Sequence, residues 1–359
     1  MNSNLIPITK TTHPKKKPPV SELGFGRFFS DHMFVSHYSS SKGWHQSEVL
    51  PYQPFQIDPG ASVLHYGQAL FEGMKAFRQK EGRCVLFRPD FNWHRMQAGA
   101  ERLCMVAPPK ELFLEGVRQV TKVDEDWIPS EQGSSLYIRP TLIGTEGFLG
   151  VRPADEYLFF VILSPVGSYY SGGLAPVKIW IEEDYIRAAP GGLGATKAAA
   201  NYAGSLKAAF DAKKKGFSQV LWLDVTRKYI EEVGTMNVFF IFDNEIVTPA
   251  LEGTILGGGV RDCLMTLLKS PERTGGRPVH ERKVSLQEIT EGIKSGRLQE
   301  AFGTGTAAVI TPIGELTSGH FTGLINNNKM GILTQKLYDE LVAIQYGIKP
   351  DPYGWIQPL

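Results

Sequence analysis

Apolar and polar positions alternate along this chain in two ways, one typical of strands and the other of helices. Residues 156–163 form a nearly continuous apolar run, which indicates a buried strand. Further strands are predicted at 177–181, 219–224 and 237–242, and helices at 91–105, 110–122, 197–214, 260–269, 286–297 and 332–346. Three or four more strand-like segments precede residue 90, separated by Gly, Pro and Asp residues.

The order of these elements favours an α+β fold. Strands and helices mix without the regular βαβ alternation of a doubly wound sheet. The 359 residues suggest about two domains, and a Gly-, Ser- and Pro-rich stretch after residue 165 is typical of a linker. The predicted organisation is a flexible N-terminal arm at 1–22, a small domain at 23–165, a linker at 166–176 and a large domain at 177–359.

Composition argues against several classes of protein. Lys and Arg number 38 and Asp and Glu 37, so a formal net charge of +1 argues against a nucleic-acid binder. The longest strongly apolar run, 158–163, is far shorter than the ~20 residues that span a bilayer. Cys84, Cys104 and Cys263 are too widely spaced to suggest a zinc site or a disulfide framework. With an N-terminus that lacks an apolar signal core, these features indicate a cytoplasmic protein without metal, nucleic-acid or membrane partners.

Two charged residues lie in settings that could carry chemistry. Lys197 follows a Gly- and Ala-rich segment, 191–196, and precedes Ala198–Ala200. A lysine amine attacks a carbonyl only when it is neutral, and small neighbours would let a flat ring lie against the backbone. Glu232 precedes the apolar strand 237–242, and an acid at the buried edge of a sheet needs a partner such as a protonated ring nitrogen. Either residue alone is more often an ordinary surface lysine or turn acid.

Two glycine-rich segments could each hold an anion. Residues 255–261 run directly into a predicted helix, whose N-terminal amides and dipole attract phosphate. Residues 302–308 offer hydroxyls and backbone amides for a second anion, and Arg95 could add a planar cationic fork. A single loop of this kind is weak support, but the lysine, the acid and the two loops together fit a pyridoxal-phosphate enzyme.

Six segments occur in one order along the chain and resemble a known family. They are YGQALFEGMKAF at 66–77, LFRPD at 86–90, SLYIRP at 135–140, Thr196-Lys197 with Asn201-Tyr202, EVGTMN at 232–237 and GTA at 305–307. Together they resemble the branched-chain amino-acid aminotransferases of the fold-type IV pyridoxal-phosphate class, over roughly residues 20 to 350. The resemblance implies a two-domain architecture like that of D-amino-acid aminotransferase, with the cofactor held mainly by the large domain.

The same resemblance implies a role for each site residue. Lys197 would bind pyridoxal 5′-phosphate covalently and move a proton between the substrate Cα and the cofactor. Glu232 would pair with the ring nitrogen, and Tyr202 would hydrogen-bond the ring hydroxyl oxygen. The remaining cofactor contacts would come from Arg95, Thr235, Gly259, Val260 and Thr306. The substrate contacts would come from Tyr66, Phe71, Tyr137, Arg139, Tyr169, Thr306 and Ala307. Arg139 matches the arginine that meets the distal carboxylate of glutamate.

The implied reaction is transamination of L-leucine, L-isoleucine and L-valine with 2-oxoglutarate by a ping-pong mechanism, in a homodimer. Two alternatives stay open. One is another fold-type IV enzyme, a D-amino-acid aminotransferase or an aminodeoxychorismate lyase, against which the long N-terminal region and the segment 137–139 argue. The other is a non-catalytic binding protein on the same fold, against which the presence of both Lys197 and Glu232 argues.

Overall fold

The computed structural model describes residues 6–167 and 174–359, which divide into two compact units. Of the described residues, the first unit contains 6–167, 196–200 and 343–359, and the second contains 174–195 and 201–342. The segment that carries Lys197 therefore folds with the first unit, although its neighbours on both sides belong to the second. The predicted domain boundaries after residues 22, 165 and 176 stay a prediction.

The elements of both units follow in chain order. The strands are β1 (His32–Ser39), β2 (Gly43–Pro51), β3 (Ala69–Phe71), β4 (Met74–Arg78), β5 (Cys84–Phe87), β6 (Ser135–Gly144), β7 (Glu156–Val166), β8 (Val177–Ile181), β9 (Gln219–Leu223), β10 (Ile230–Val233), β11 (Asn237–Phe242), β12 (Ile246–Thr248), β13 (Val279–Glu281), β14 (Leu298–Gly305), β15 (Val309–Thr317), β16 (Thr322–Leu324) and β17 (Ile356–Pro358). The helices are α1 (Ser62–Tyr66), α2 (Pro89–Arg102), α3 (Lys110–Val123), α4 (Ala199–Lys214), α5 (Gly259–Leu267), α6 (Pro271–Thr274), α7 (Leu286–Ser295) and α8 (Ile332–Gln345). Among the described helices, none is both long and apolar enough to cross a membrane.

An eight-stranded antiparallel sheet forms the first unit, in the order β17-β5-β4-β6-β7-β1-β2, with β3 paired to β6. Its core is aromatic, since Phe113 of α3 stacks on Phe159 of β7 with ring centroids 5.6 Å apart. Helix α3 approaches β1 closely because Gly116 has no side chain. A Cβ at Gly116 would lie 2.6 Å from the ring of Phe34, so this glycine allows the packing.

A nine-stranded mixed sheet forms the second unit, in the order β10-β9-β8-β15-β14-β11-β12-β13, with β16 paired to β15. Strand β8 pairs in parallel with β9 and β15, and β12 with β13, whereas the other pairs are antiparallel. Strand β11 is buried at every position, as its apolar run predicts, and Phe239 stacks on Phe302 of β14 at 5.2 Å. Mixed pairing with interspersed helices is the α+β arrangement predicted from the sequence.

Helix α7 shows how local sequence sets an element. Ser285 precedes the helix, and its Oγ accepts a hydrogen bond from the backbone N–H of Glu288 at 3.0 Å. This cap satisfies one of the N–H groups that a helix start leaves without a partner. At the other end Gly296 adopts φ 75°, a left-handed conformation that glycine tolerates. The helix was predicted at 286–297 and ends two residues earlier, at this glycine.

The glycine-rich segment 302–308 is only partly a loop, which corrects the sequence prediction. Strand β14 continues to Gly305, and β15 begins at Val309. Glycine is required within the strand, because a Cβ at Gly303 would lie 2.8 Å from both the Val233 and Met236 side chains. The turn at 306–308 joins the two paired strands, and a contact between this turn and an anion stays a prediction.

The basic N-terminal arm contacts the first unit from Pro7 onward. Thr9 and Val49 are joined by a backbone hydrogen bond of 2.8 Å. The ammonium of Lys15 donates to the carbonyl of Ser30 at 2.6 Å, and its backbone N–H donates to Asp31 Oδ1 at 2.8 Å. These contacts tie the arm to β2 and to the start of β1. Its flexibility stays a prediction.

Candidate active site

Lys197 is anchored beside β3 in the first unit. Its carbonyl accepts a hydrogen bond from the backbone N–H of Phe71 at 3.2 Å, and Ala198 forms a β-bridge with Leu70. The Lys197 ammonium nitrogen lies 4.8 Å from the centroid of the Phe71 ring. Two backbone contacts and one aromatic surface therefore define where this amine lies, which is what a nucleophile or general base requires.

Tyr137 and Arg139 of β6 lie on the same face of the sheet as Phe71 of the neighbouring strand β3. They alternate along the strand with the core residues Leu136 and Ile138, so they point away from that core. The Arg139 guanidinium lies 4.6 Å from the Phe71 centroid and 5.2 Å from the Tyr137 centroid, and its Nη2 donates to the Tyr137 hydroxyl at 3.2 Å. Within the described part of the chain, the buried Nε of Arg139 has no hydrogen-bond partner. It therefore keeps one donor for a ligand.

Two further residues shape this group, and the sequence analysis missed both. Phe25 packs edge-on against Tyr137 with ring centroids 4.9 Å apart. It lies between Gly24 and Gly26, which adopt φ 57° and 68°, and this Gly-Phe-Gly pattern is the signal that could have revealed it. Gly73 makes room for the hydroxyl of Tyr137, since a Cβ there would lie 1.9 Å from that oxygen. We call Lys197, Phe71, Tyr137, Arg139 and Phe25 the lysine cluster.

Lys75 is a buried base that the sequence analysis did not single out. It lies on β4 directly opposite Tyr137 of β6, so the two side chains share a face of the sheet. Burial lowers the pKa of Lys75 to about 8, because desolvation disfavours the ammonium form. A buried lysine whose pKa lies closer to neutral pH than that of an exposed lysine therefore borders the lysine cluster.

Arg95 is held by a carboxylate of its own unit. Its Nε donates to Glu72 Oε1 at 2.7 Å and its Nη2 to Oε2 at 2.6 Å, a two-point pair. Glu72 is fully buried and also accepts from Asn92 Nδ2 at 2.7 Å. The pair fixes the plane of the Arg95 guanidinium, and a phosphate contact from it stays a prediction.

Tyr66 lies at the end of α1, and its hydroxyl donates to the carbonyl of Leu149. Leu149 and Val151 belong to an exposed apolar segment, 63% and 86% exposed respectively. Tyr66 therefore borders this exposed apolar segment. Tyr169, the other predicted pocket tyrosine, lies outside the described residues.

Glu232 belongs to a second group, which lies in the second unit. It is 4% exposed on β10. Its Oε2 lies 3.3 Å from Arg187 Nε, and its Oε1 accepts from the backbone N–H of Leu256 at 2.9 Å. Arg187 supplies the countercharge that a buried carboxylate needs. The residues around Arg187 in the sequence do not indicate its pairing with the distant Glu232. The carbonyl of Thr254 accepts a hydrogen bond from Arg187 Nη2. We call Glu232, Arg187, Thr254 and Leu256 the acid cluster.

The segment after Leu256 leads into the predicted anion loop. Asn237 Nδ2 donates to the Leu256 carbonyl at 2.8 Å, and a Cβ at Gly258 would lie 2.1 Å from Asn237 Oδ1. Helix α5 starts at Gly259, and Val260 follows in its first turn. The N-terminus of this nine-residue helix is therefore set beside the acid cluster by Asn237, in a position to attract a phosphate.

The other predicted residues of the second unit lie on turns and on α4. Tyr202 is in the first turns of α4, where its carbonyl accepts from Ser205 Oγ at 2.8 Å. Thr235 is exposed at the tight turn between β10 and β11. Thr306 and Ala307 occupy the turn before Val309, whose φ of 63° is unusual for a β-branched residue. Strain of this kind concentrates at ligand-binding turns, which is consistent with a carboxylate contact there.

A comparison with known protein families identifies the family of this chain. The family profile described as amino-transferase class IV matches residues 69–316, more than half of the chain. The chain belongs to the class IV aminotransferases. Branched-chain-amino-acid aminotransferase 2 of Bacillus subtilis (strain 168) is 49% identical over 99% of this chain and 97% of its own length. Branched-chain-amino-acid transaminase 1 of the same organism is 47% identical over 98% and 99%. The predicted family resemblance is confirmed.

Solved structures of the family share the fold of this class IV aminotransferase. The branched-chain amino acid aminotransferase of Escherichia coli aligns with a TM-score of 0.72 at 24% identity, covering 90% of this chain and 98% of that one. The enzyme from Thermobaculum terrenum, solved in its PLP form, aligns with a TM-score of 0.72 at 20% identity, covering 90% and 97%. The predicted fold-type IV architecture is confirmed.

Proposed function

We propose that this class IV aminotransferase moves the amino group of L-leucine, L-isoleucine and L-valine to 2-oxoglutarate, giving branched-chain 2-oxo acids and L-glutamate. The observation that carries the proposal is 49% identity along nearly the whole chain to a protein named for branched-chain transamination. The lysine and acid clusters support it, since they contain a positioned amine and a buried carboxylate. A homodimer, which the resemblance implies, and a cytoplasmic location, which the spacing of the cysteines indicates, are part of the proposal.

Pyridoxal 5′-phosphate is the proposed cofactor, and the donors of the second unit fit it. The carboxylate of Glu232 fits a protonated ring nitrogen, and the start of α5 at Gly259 and Val260 fits a phosphate. Tyr202, Thr235, Thr306 and, from the first unit, Arg95 are the other proposed contacts. When bound, this cofactor supplies an electron-accepting ring that stabilises the charge left at the substrate Cα after its proton departs.

Lys197 is the residue proposed to hold the cofactor and to carry the proton. Its amine would take the proton from the substrate Cα as general base and, as general acid, deliver it to the cofactor carbon that carries the amino group away. Glu232 keeps a proton on the ring nitrogen, and Arg187 offsets the charge of that carboxylate in a buried environment. Because the first product leaves before the second substrate enters, the two half-reactions follow a ping-pong order.

The proposed pocket must accept both an apolar side chain and a second carboxylate. The rings of Phe71, Tyr137 and Phe25 offer apolar surface to a branched side chain. Arg139, braced between two of these rings, offers its unpaired Nε to the distal carboxylate of glutamate. Tyr66, Tyr169 and the amides of the Thr306–Ala307 turn are proposed to complete the substrate contacts.

Arg139→Met should separate the two half-reactions. We expect kcat/KM for glutamate to fall about 10–100-fold, because a charge-assisted hydrogen bond is lost, while that for leucine changes by less than about threefold. Single-turnover kinetics with each amino acid would measure both. Arg118→Met, at a half-exposed arginine on α3, is the control. Equal losses for the two substrates would contradict the assignment.

One spectroscopic assay tests the proposed function against its rivals. Adding L-leucine to the yellow holoenzyme should shift its visible absorption, and D-alanine should not. A shift with D-alanine alone would favour a D-amino-acid aminotransferase. No shift with either amino acid would favour a non-catalytic binding protein or a lyase.

A further inference from the structure

Glu231 is a buried acid that the proposed reaction does not use. It directly precedes Glu232 on β10 and is 5% exposed, so two adjacent carboxyl groups are both buried. A regular strand would send neighbouring side chains to opposite faces. Here the pairing of β10 with β9 shifts register between Ile230 and Glu232, and the resulting bulge re-aims a side chain at this position.

The carboxyl group of Glu231 lies beside the side chain of Thr254. Its Oε2 is buried and, in the part of the chain that the structure describes, has no hydrogen-bond partner. Glu231 also lines a cavity of about 110 Å³ with Tyr229 and Pro190. A partnerless carboxylate oxygen in such a place is costly, whereas a protonated oxygen costs far less.

The charged groups around Glu231 are already occupied. Arg187 is paired with Glu232 at 3.3 Å. Asp224 accepts hydrogen bonds from the backbone N–H groups of Lys228 and Tyr229, both at 3.0 Å. At the rim of the cavity, Lys283 pairs with Glu252 at 3.3 Å, and both side chains are more than half exposed. No cation in this part of the second unit is therefore dedicated to Glu231.

Thr254 connects Glu231 to the acid cluster. Its side chain lines the same cavity as Glu231, and its carbonyl accepts a hydrogen bond from Arg187 Nη2. Two residues further on, the backbone N–H of Leu256 bonds Glu232. A change of charge at Glu231 would therefore act on the same short segment that positions Arg187, Glu232 and the start of the anion loop.

We propose that Glu231 is a positioning residue that keeps its proton in the folded chain up to neutral pH, so that Arg187 pairs with Glu232 and not with Glu231. Ionised, Glu231 would compete for the buried guanidinium of Arg187 and disturb the segment from Thr254 to Leu256. The part of this inference that concerns the cofactor rests on the proposed function, through the role of Glu232.

The direction of titration agrees with this arrangement. Burial raises the pKa of Glu231, the nearby Thr254 side chain and the charge of Arg187 oppose the rise, and the charge of Asp224 adds to it. For an acid whose pKa is higher in the folded than in the unfolded chain, stability is greatest below the unfolded pKa. It is lost as pH rises toward the folded pKa, because only the unfolded chain releases the proton easily.

Glu231→Gln tests the proposal in the cofactor-free chain. Glutamine keeps the shape of the protonated acid but has no proton to lose. Melting temperature should therefore match that of the wild type at about pH 5 and exceed it by roughly 2–4 °C at about pH 8. Glu252→Gln, at the exposed rim of the same cavity, should follow the wild type at both pH values. If the melting temperatures of the wild type and of Glu231→Gln changed equally between the two pH values, the proposal would be overturned.

Two further measurements separate this inference from the proposed function. In the holoenzyme, the Kd for pyridoxal 5′-phosphate should be the same in the wild type and in Glu231→Gln at about pH 5, and on the order of tenfold higher in the wild type at about pH 8, where its Glu231 begins to ionise. Equal rises in both would overturn the positioning role. Infrared difference spectra of the wild type against pH should contain a protonated-carboxyl band at neutral pH, and its absence would also overturn the proposal. Failure to bind the cofactor at all would refute the proposed function, while the melting series would still test Glu231.

Discussion

Lys197→Ala should reduce transamination by at least about 10³-fold. General acid–base catalysis by one positioned group contributes roughly 10²–10⁴-fold, and the same amine is proposed to bind the cofactor covalently. The amine lies 4.8 Å from the Phe71 centroid on a backbone anchored to β3, so no other residue of the lysine cluster can replace it without moving the chain. Steady-state assays with L-leucine and 2-oxoglutarate would measure the loss.

The control for this variant is Lys207→Ala, which removes an exposed lysine of α4. It should retain wild-type turnover. The Lys197→Ala protein should still bind pyridoxal 5′-phosphate, because its phosphate and ring contacts are proposed to come from other residues. Borohydride reduction of the wild-type holoenzyme, followed by peptide mapping, should place the adduct on Lys197. An adduct on another lysine, or efficient turnover by Lys197→Ala, would contradict the assignment.

Glu232→Ala should damage both stability and turnover. Its side chain and that of Arg187 are 5% and 8% exposed, and removing one partner of a buried ion pair leaves an uncompensated charge. That loss typically costs about 3–5 kcal/mol of unfolding free energy. Turnover should fall by about 10²-fold or more, because the ring nitrogen would lose the group proposed to keep it protonated. Urea unfolding of the cofactor-free chain and assays of the holoenzyme would measure the two effects.

A double variant separates these two consequences of losing Glu232. Adding Arg187→Met to Glu232→Ala removes the orphaned guanidinium, so most of the lost stability should return, since apolar replacement of a buried pair is often nearly neutral. Turnover should stay low, because the carboxylate is still absent. A Glu232→Ala protein as stable as the wild type would contradict the importance of the pair, and unchanged turnover would contradict the proposed role.

Local patterns in the sequence were enough to predict most of the helices and strands. The apolar run of β11, the Ser285 cap of α7 and the helical stretch ending near residue 346 each depend on neighbours within a few residues. The segment 302–305 shows the limit of such reasoning. Its glycines indicate a loop when taken alone, but they belong to β14 because Val233 and Met236 occupy the space where a side chain would lie.

The candidate site could be predicted only in part, because several of its partners are distant in sequence. Lys197 and Glu232 stand out by their local settings, and motif resemblance assigned the rest. No local signal indicates that Glu72 pairs with Arg95, or that Arg187 pairs with Glu232 across 45 positions of the sequence. Such pairings arise from the folded backbone, which brings remote strands and loops together.

The first sheet includes a strand that is synthesised after the second unit. Strand β17, within 343–359, pairs with β5 and so completes the edge of the first sheet. A ribosome delivers residues 201–342 before that strand, and domains generally fold as they emerge. The second unit can therefore mature on a nascent polypeptide whose first sheet still has an open margin at β5, an exposed edge of the kind that invites aggregation.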